Sequence, residues 1–157
     1  NALTYEHDMV GYNYRMVNIL ASLGNAQLSK LDSFLHKKRG IHDAYKKLFF
    51  NNEYFTLHTD DRKYVEPSYW LNLIKFKKSI LKIRSKEELV NFFKTRKIEV
   101  RPFWQPLSMM KHLKSVQRGN LNHSLKVWNS SIMVPSCISI DEEQLFRVQN
   151  TFMELLN

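Results

Sequence analysis

The stretch GYNYRMVNILASLGNAQLSKL, from Gly11 to Leu31, opens a long amphipathic pattern and decides how the chain begins to fold. Its apolar residues recur at helical intervals, and the same pattern continues as far as Leu48. We expect one long helix from about Met16 to Leu48, bent near Gly40. A stripe of this kind is typical of a helix that packs one face against the rest of a domain.

The polar and aromatic run at the start of this helix has two interpretations. Asn13 is a preferred capping residue, and the neighbouring tyrosines could simply pack against the domain. Alternatively, the free N–H groups and partial positive charge of a helix N-terminus favour a bound phosphate. The amide of Asn13, the phenols of Tyr12 and Tyr14 and the guanidinium of Arg15 would supply further donors. The residues alone leave both interpretations open.

Shorter patterns predict the strands. Aromatic and branched residues from Tyr64 to Phe76 are typical of a strand, with Pro67 near its start, whereas the polar segment 51–61 is typical of a turn. The stretches KIEVRPFW and SIMVPS each predict one further short strand.

The remaining segments predict helices. Capping boxes at Ser85–Glu88 and Ser139–Glu142 would each begin one, and short helices are expected after Ser108 and from Leu121 to Trp128. The last helix should turn one face inward, formed by Leu145, Phe146, Val148, Phe152 and Leu155. This order predicts an α+β domain in which the long N-terminal helix and further helices pack on a small, mostly antiparallel sheet.

The composition is that of one globular domain. The 157 residues are 43% hydrophobic and 13% aromatic, enough to bury a core. No apolar run is long enough to cross a bilayer and no secretory signal is recognised, so no membrane partner is expected. A single cysteine, Cys137, suits a reducing, cytoplasmic compartment. His and Cys spacings match no metal motif. Asn1-Ala2 resembles the scar of a cleaved expression tag, which leaves residues 3–157 as the domain.

Basic residues are concentrated between Lys75 and Arg101, where ten Lys and Arg face three acidic residues. We call this segment the basic stripe. It could be a solvated surface, attract a phosphorylated ligand, or bind nucleic acid, which would make the chain a nucleic-acid-binding module.

The stretch RPFWQPL places Arg101 and Trp104 around two prolines, which stiffen the turn. Such a turn could cover a sugar or a base. It could equally be a surface loop that Trp104 anchors to the core.

Several of these stretches together resemble the DegT/StrS group of nucleotide-sugar aminotransferases. The resemblance is carried first by GYNYRMVNILASLGNAQLSKLDSFLHKKRGIHDAY, and then by SYWLNLI, IEVRPFWQPL and NSSIMVPSCISIDEEQ in the family's order. It extends over nearly the whole chain from His7 onward. One departure is that the family's Ala-Leu-Gly appears as Ser22-Leu23-Gly24.

The resemblance implies the C-terminal, smaller domain of an aspartate-aminotransferase-like enzyme. Members hold pyridoxal phosphate on a lysine of a large N-terminal domain, and no lysine here matches it, so no catalytic residue is assigned within this chain. The chain alone is therefore expected to be inactive. The whole enzyme would transfer an amino group from glutamate to a nucleotide-linked keto-sugar used in surface polysaccharide or glycan synthesis.

The same resemblance implies roles for five residues. Asn13 and Tyr14 would bind the phosphate of pyridoxal phosphate, in the active site of the partner subunit of a homodimer. Arg15, Arg101 and Trp104 would lie on the side of the nucleotide sugar.

Overall fold

The structure, a computed structural model, describes residues 5, 7, 9–81 and 84–156. The predicted tag scar at Asn1-Ala2 and Lys82 of the basic stripe lie outside these residues. The α-helices of the described part are α1 (Asn18–Leu28), α2 (Leu31–Leu48), α3 (Lys78–Leu81), α4 (Lys86–Thr95), α5 (Asn122–Ser130) and α6 (Glu142–Glu154). Two short 3-10 helices, Leu107–Met109 and Lys111–Leu113, lie where a short helix was predicted after Ser108. Its strands are β1 (Phe55–Leu57), β2 (Asn72–Phe76), β3 (Arg101–Pro102) and β4 (Ser131–Val134).

The four strands form one sheet in the order β1-β2-β4-β3, and every neighbouring pair is antiparallel. The predicted α+β class with a small antiparallel sheet is therefore confirmed. None of the described helices is both long and apolar enough to cross a membrane.

The predictions for the segments 51–61 and 64–76 were wrong in part. β1 lies inside the segment predicted as a turn, where only Phe55 and Leu57 are buried and Thr56 faces outward. β2 begins at Asn72 rather than Tyr64 because Tyr69 has a φ of 46°, a left-handed conformation that interrupts an extended chain. The aromatic residues before Asn72 consequently form a loop.

The long N-terminal helix is divided in two, and not at the predicted place. α2 continues through Gly40, whereas the break falls at Ser29 and Lys30, between α1 and α2. The Ser29 hydroxyl donates to the carbonyl of Ala26, a local bond that competes with helix continuation. In α2, Ile41, His42 and Tyr45 are buried.

α1 buries none of its residues, and its large apolar side chains are exposed. They include Ile19, Leu20, Leu23 and Leu28. An isolated helix of this length is only marginally stable in water, so its apolar side chains call for a partner surface.

The core lies between one face of the sheet and helices α2, α4 and α6. An aromatic cluster occupies its centre, with Phe152 of α6 in edge or tilted contact with Phe49, Phe55 and Phe93. The ring centroids in these contacts are 4.6–5.1 Å apart. Such pairs stabilise a core beyond the area they bury.

The capping prediction for α4 is confirmed, since Ser85 and Glu88 form a complete capping box. For α6 the box begins at Asp141 and closes with Gln144, so the predicted start at Ser139 was wrong. The Asp141 carboxylate accepts from the Gln144 N–H and caps the helix in place of the Ser139 hydroxyl that was predicted to do so. Phe146 is 61% exposed, which corrects its assignment to the inward face of α6.

The central position of Phe152 can be tested by truncation. Phe152→Ala should lower the free energy of unfolding by about 3–5 kcal/mol, because it empties the middle of the aromatic cluster. Phe146→Ala removes the same atoms from an exposed site of the same helix and should change it by less than about 1 kcal/mol. Urea unfolding monitored by circular dichroism measures both, and equal losses would contradict this description of the core.

Candidate functional site

The face of the sheet opposite the core carries an open groove. Leu73 of β2 and Met133 of β4 are register partners on this face, because strand side chains alternate and the adjacent Ile74 and Ile132 enter the core. Together with Val127 of α5 they contribute to the lining of a cavity of about 1020 Å3. We call this cavity the aromatic groove after its aromatic lining residues, Tyr69, Trp70, Phe103 and Trp104.

Two tryptophans from different loops face each other in the groove. Trp70 precedes β2 and Trp104 follows β3, and their ring centroids lie 5.5 Å apart at an interplanar angle of 43°. Phe103 stacks beside Trp104 at 6.2 Å. Trp70 is 64% and Trp104 42% exposed, so both rings keep surface available to a ligand. Aromatic side chains in this arrangement suit a flat base or the apolar face of a sugar ring.

A second cavity of about 520 Å3 extends the aromatic groove toward the turn after Pro106. The two cavities share His58, Phe103, Trp104 and Val127. A ligand longer than one ring could therefore occupy both.

Charged groups line the groove as ion pairs. Arg62 binds Asp60 through two nitrogens, at 2.8 and 2.5 Å, and this hydrogen bonding lowers the pKa of Asp60 to about 2. Asp61 accepts from Lys46 at 2.8 Å, which lowers its pKa as well. Arg62 also lies over the ring of Tyr64. The guanidinium is thus held in one orientation beside the groove.

His58 lies where the two cavities meet. Partial burial lowers the pKa of His58 below its ordinary value, and the nearby Lys75 and His123 lower it further. The lowered pKa favours the neutral imidazole, which can both accept and donate a hydrogen bond.

Asn13 and its neighbours, which were predicted to bind a phosphate, are not among the residues that line the aromatic groove. Residues 9–17, which we call the N-terminal segment, are exposed throughout and form neither helix nor strand. α1 begins at Asn18 with Val17 as its N-cap, so Asn13 does not cap the helix and that interpretation was wrong. Asn13 was also expected directly before the N-terminus of the helix, but it lies five residues before Asn18, where α1 begins. Asn13, Tyr14 and Arg15 offer exposed amide, phenol and guanidinium groups, which fit an anion supplied from outside.

The two residues predicted in the RPFWQPL turn have different surroundings. Trp104 lines both cavities of the groove. Arg101 is exposed on β3 and binds Glu99 through two nitrogens, at 2.9 and 2.5 Å. This pairing, together with a weaker contribution from Tyr5, raises the pKa of Arg101.

Sequence reasoning missed most of the groove. His58, Arg62, Tyr69 and Trp70 were not singled out, although SYWLNLI had been noted as a strand. The places of Tyr69 and Trp70 depend on the positive φ of Tyr69, for which the sequence carries no glycine or asparagine signal.

The basic stripe is dispersed over several elements, and many of its cations are engaged. Lys77 donates to the carbonyl of Asn52, Lys86 lies over Trp128, and Arg96 binds Glu154 while stacking on Phe92. Nothing among the described residues supports the nucleic-acid alternative.

Comparisons with known proteins agree on one family. The model of the DegT/DnrJ/EryC1/StrS aminotransferase family matches residues 1–153. GDP-perosamine synthase of Escherichia coli O157:H7 is 34% identical over 151 residues, which are 96% of this chain and 39% of that protein. GDP-perosamine synthase of Vibrio cholerae is 30% identical over 156 residues, covering 98% of this chain and 41% of that protein. The chain thus spans about two fifths of the length of these relatives.

Solved structures share the fold. Helicobacter pylori PseC, an aminotransferase involved in the biosynthesis of pseudoaminic acid, superposes with a TM-score of 0.76 at 18% identity, over 96% of this chain and 40% of that one. The PLP form of a putative sugar aminotransferase from Streptococcus pneumoniae gives 0.75 at 22% identity, over 97% and 39%. On the evidence of the family match and the two GDP-perosamine synthases, the chain belongs to the DegT/DnrJ/EryC1/StrS aminotransferase family.

Proposed function

We propose that this chain is the C-terminal, smaller domain of a pyridoxal-phosphate-dependent enzyme that aminates a nucleotide-linked keto-sugar. The observation that carries the proposal is the family match over residues 1–153. Glutamate would supply the amino group, and the product would serve surface polysaccharide or glycan synthesis. Because two relatives are GDP-perosamine synthases, a GDP-linked keto-sugar is the first substrate to test.

The cofactor, when bound, supplies the electron sink for amino transfer, and this chain contributes position and charge. The side chains of Asn13 and Tyr14 would donate hydrogen bonds to its phosphate across the boundary to a partner subunit. Their exposure supports this role, because donors on an extended, exposed segment can reach a ligand held by another surface. Since α1 begins only at Asn18, the side chains rather than the helix terminus would make the contact.

The aromatic groove would bind the substrate. Trp70 and Trp104 would hold a base or sugar ring, and Arg62, which lines the same cavity, would bind a phosphate of the same molecule. Arg101 and Arg15 would complete the anion site from outside the groove. The exposed apolar side chains of α1 are explained if the large domain and the second subunit cover them.

A direct assay tests the whole proposal. The full-length enzyme, supplied with pyridoxal phosphate, glutamate and a GDP- or UDP-linked keto-sugar, should form the amino sugar and one 2-oxoglutarate per turnover. Mass spectrometry of the nucleotide sugar detects the product. Failure with every nucleotide-linked keto-sugar would contradict the proposal.

Asn13→Ala in the full-length enzyme should weaken retention of pyridoxal phosphate. One hydrogen bond to a charged phosphate is worth about 1.5–3 kcal/mol, so the dissociation constant should rise about tenfold or more. Absorbance of the cofactor after dialysis measures the change. Asn150→Ala, on the exposed side of α6, is the matched control and should retain the cofactor as the unaltered enzyme does. Equal retention by both variants would refute the assignment of Asn13.

Trp104→Ala should raise KM for the nucleotide sugar. Stacking of a ring on an aromatic side chain contributes about 1–3 kcal/mol, which corresponds to about fivefold to 150-fold in KM. Steady-state kinetics measures it, with Trp128→Ala as control because Trp128 contacts Lys86 rather than the groove. An unchanged KM for Trp104→Ala would remove the groove from substrate binding.

His58 reports the arrival of an anion in the groove. Without ligand its pKa should lie below 6.5, as its burial and the adjacent Lys75 require, and a bound nucleoside diphosphate should raise it. NMR titration of the imidazole C–H signals measures both states. Lys75→Met should raise the ligand-free pKa. A ligand-free value of 6.5 or higher would contradict the described surroundings of His58.

A further inference from the structure

A chain of buried polar side chains joins α2 to the sheet behind the aromatic groove. His42 of α2, Asn72 at the start of β2 and Ser136 after β4 are all buried. His42 Nδ1 lies 2.8 Å from Asn72 Oδ1, and Asn72 Nδ2 donates to Ser136 Oγ at 3.0 Å. An amide oxygen can only accept, so Nδ1 of His42 carries the proton. These hydrogen bonds fix how α2 sits against the start of β2, although His42 Nε2 is buried and has no partner among the described residues.

The ring of His42 holds the residue that begins the groove wall. It stacks on Tyr69 with centroids 3.6 Å apart and an interplanar angle of 14°. Tyr69 has a φ of 46°, which is unfavourable for a residue with a bulky side chain and persists only where neighbours enforce it. The stacking contact is one such neighbour.

Lys38, one helical turn before His42, holds the next residue. Its ammonium donates to the carbonyl of Trp70 at 2.9 Å and to the carbonyl of Ser136. Partial burial removes water from the ammonium and lowers the pKa of Lys38, whereas the nearby Cys137 raises it. The backbone of Trp70 is therefore tied to α2 and to the segment after β4 at the same time.

The indole of Trp70 depends on these backbone contacts for its place. Its ring is mostly exposed and meets Trp104 at 5.5 Å. The conformation of residues 69 and 70 thus decides how far apart the two rings stand. A change in that separation would alter what fits between a ligand and either ring.

We infer that Lys38 and His42 are positioning residues, which set the place of Trp70 in the aromatic groove and thereby the affinity for the nucleotide-linked sugar. The inference rests on the proposed function for its ligand, but the effect on Trp70 does not. Neither side chain needs to touch substrate. Both act through the backbone or ring of the loop that precedes β2.

Kinetics of the full-length enzyme tests the effect on affinity. Lys38→Met keeps the aliphatic stem and removes the donors, and KM for the nucleotide sugar should rise about tenfold while kcat stays within about twofold. His42→Ala, which removes the stacked ring, should do the same, and His42→Phe, which restores a ring against Tyr69, should recover part of the loss. Lys37→Met, its exposed neighbour on α2, is the matched control and should change neither value.

Fluorine NMR of the same proteins labelled with 5-fluorotryptophan tests the effect on Trp70. The Trp70 resonance, assigned from a Trp70→Phe sample, should move in Lys38→Met and His42→Ala, whereas that of Trp128 should not. Thermal melts select a temperature at which each variant is folded, and His42→Ala, with His42→Phe as its rescue, serves if Lys38→Met does not fold.

The outcomes separate the two claims. A raised KM together with a moved Trp70 resonance supports the inference. An unmoved Trp70 resonance in folded variants, or an unchanged KM in an active enzyme, overturns it. A full-length enzyme without aminotransferase activity contradicts the proposed function alone, and the Trp70 resonance then decides the positioning of the loop by itself.

Discussion

The antiparallel pairing of β2 with β4 is the constraint on which the rest of the structure depends. Its register directs Ile74 and Ile132 into the core, while Leu73 and Met133 face the aromatic groove. The same register sets Asn72 opposite Val134, and Ser136, two residues farther along, consequently meets the Asn72 amide. A slip of one residue would reverse both faces, emptying the core and destroying the groove together. Stability and the candidate site therefore share one determinant.

The proposed site has two parts, the aromatic groove and the N-terminal segment, and this chain forms only the first of them by itself. The groove is built by the chain itself, from a sheet face, a helix and two loops that are held by internal contacts. The N-terminal segment, by contrast, is exposed and is followed by a helix that buries nothing. Side chains on such a segment acquire a defined position only against another surface, as donors that act across a subunit boundary would require. The groove should accordingly be preformed, whereas the phosphate contact proposed for Asn13 would arise only on assembly.

The sequence predicted the elements whose signals are local and repeated. The capping box at Ser85, the strand β4 and the α+β class were predicted correctly, because caps and apolar periodicity depend on a few neighbouring residues. The left-handed conformation of Tyr69 could not be predicted, because a positive φ at a tyrosine is maintained by residues distant in sequence, such as His42. Of the groove, only Trp104 was foreseen, because the other lining residues come from separate elements that the fold brings together. Their distance along the sequence gave no sign that they would be neighbours in the fold.

The charges beside the groove suit an anionic ligand despite being paired. The chain carries a net charge of +9, which draws anions toward it over long range. Arg62 and Arg101 are each bound by a carboxylate two residues away, Asp60 and Glu99. Exposed pairs of this kind contribute little free energy, so the doubly charged diphosphate of a nucleotide-linked sugar can displace the carboxylate at small cost. The pairing meanwhile keeps each planar fork oriented before the ligand arrives, which reduces the entropy lost on binding. The acidic partners thus act as holders of the guanidinium groups rather than as competitors that block them.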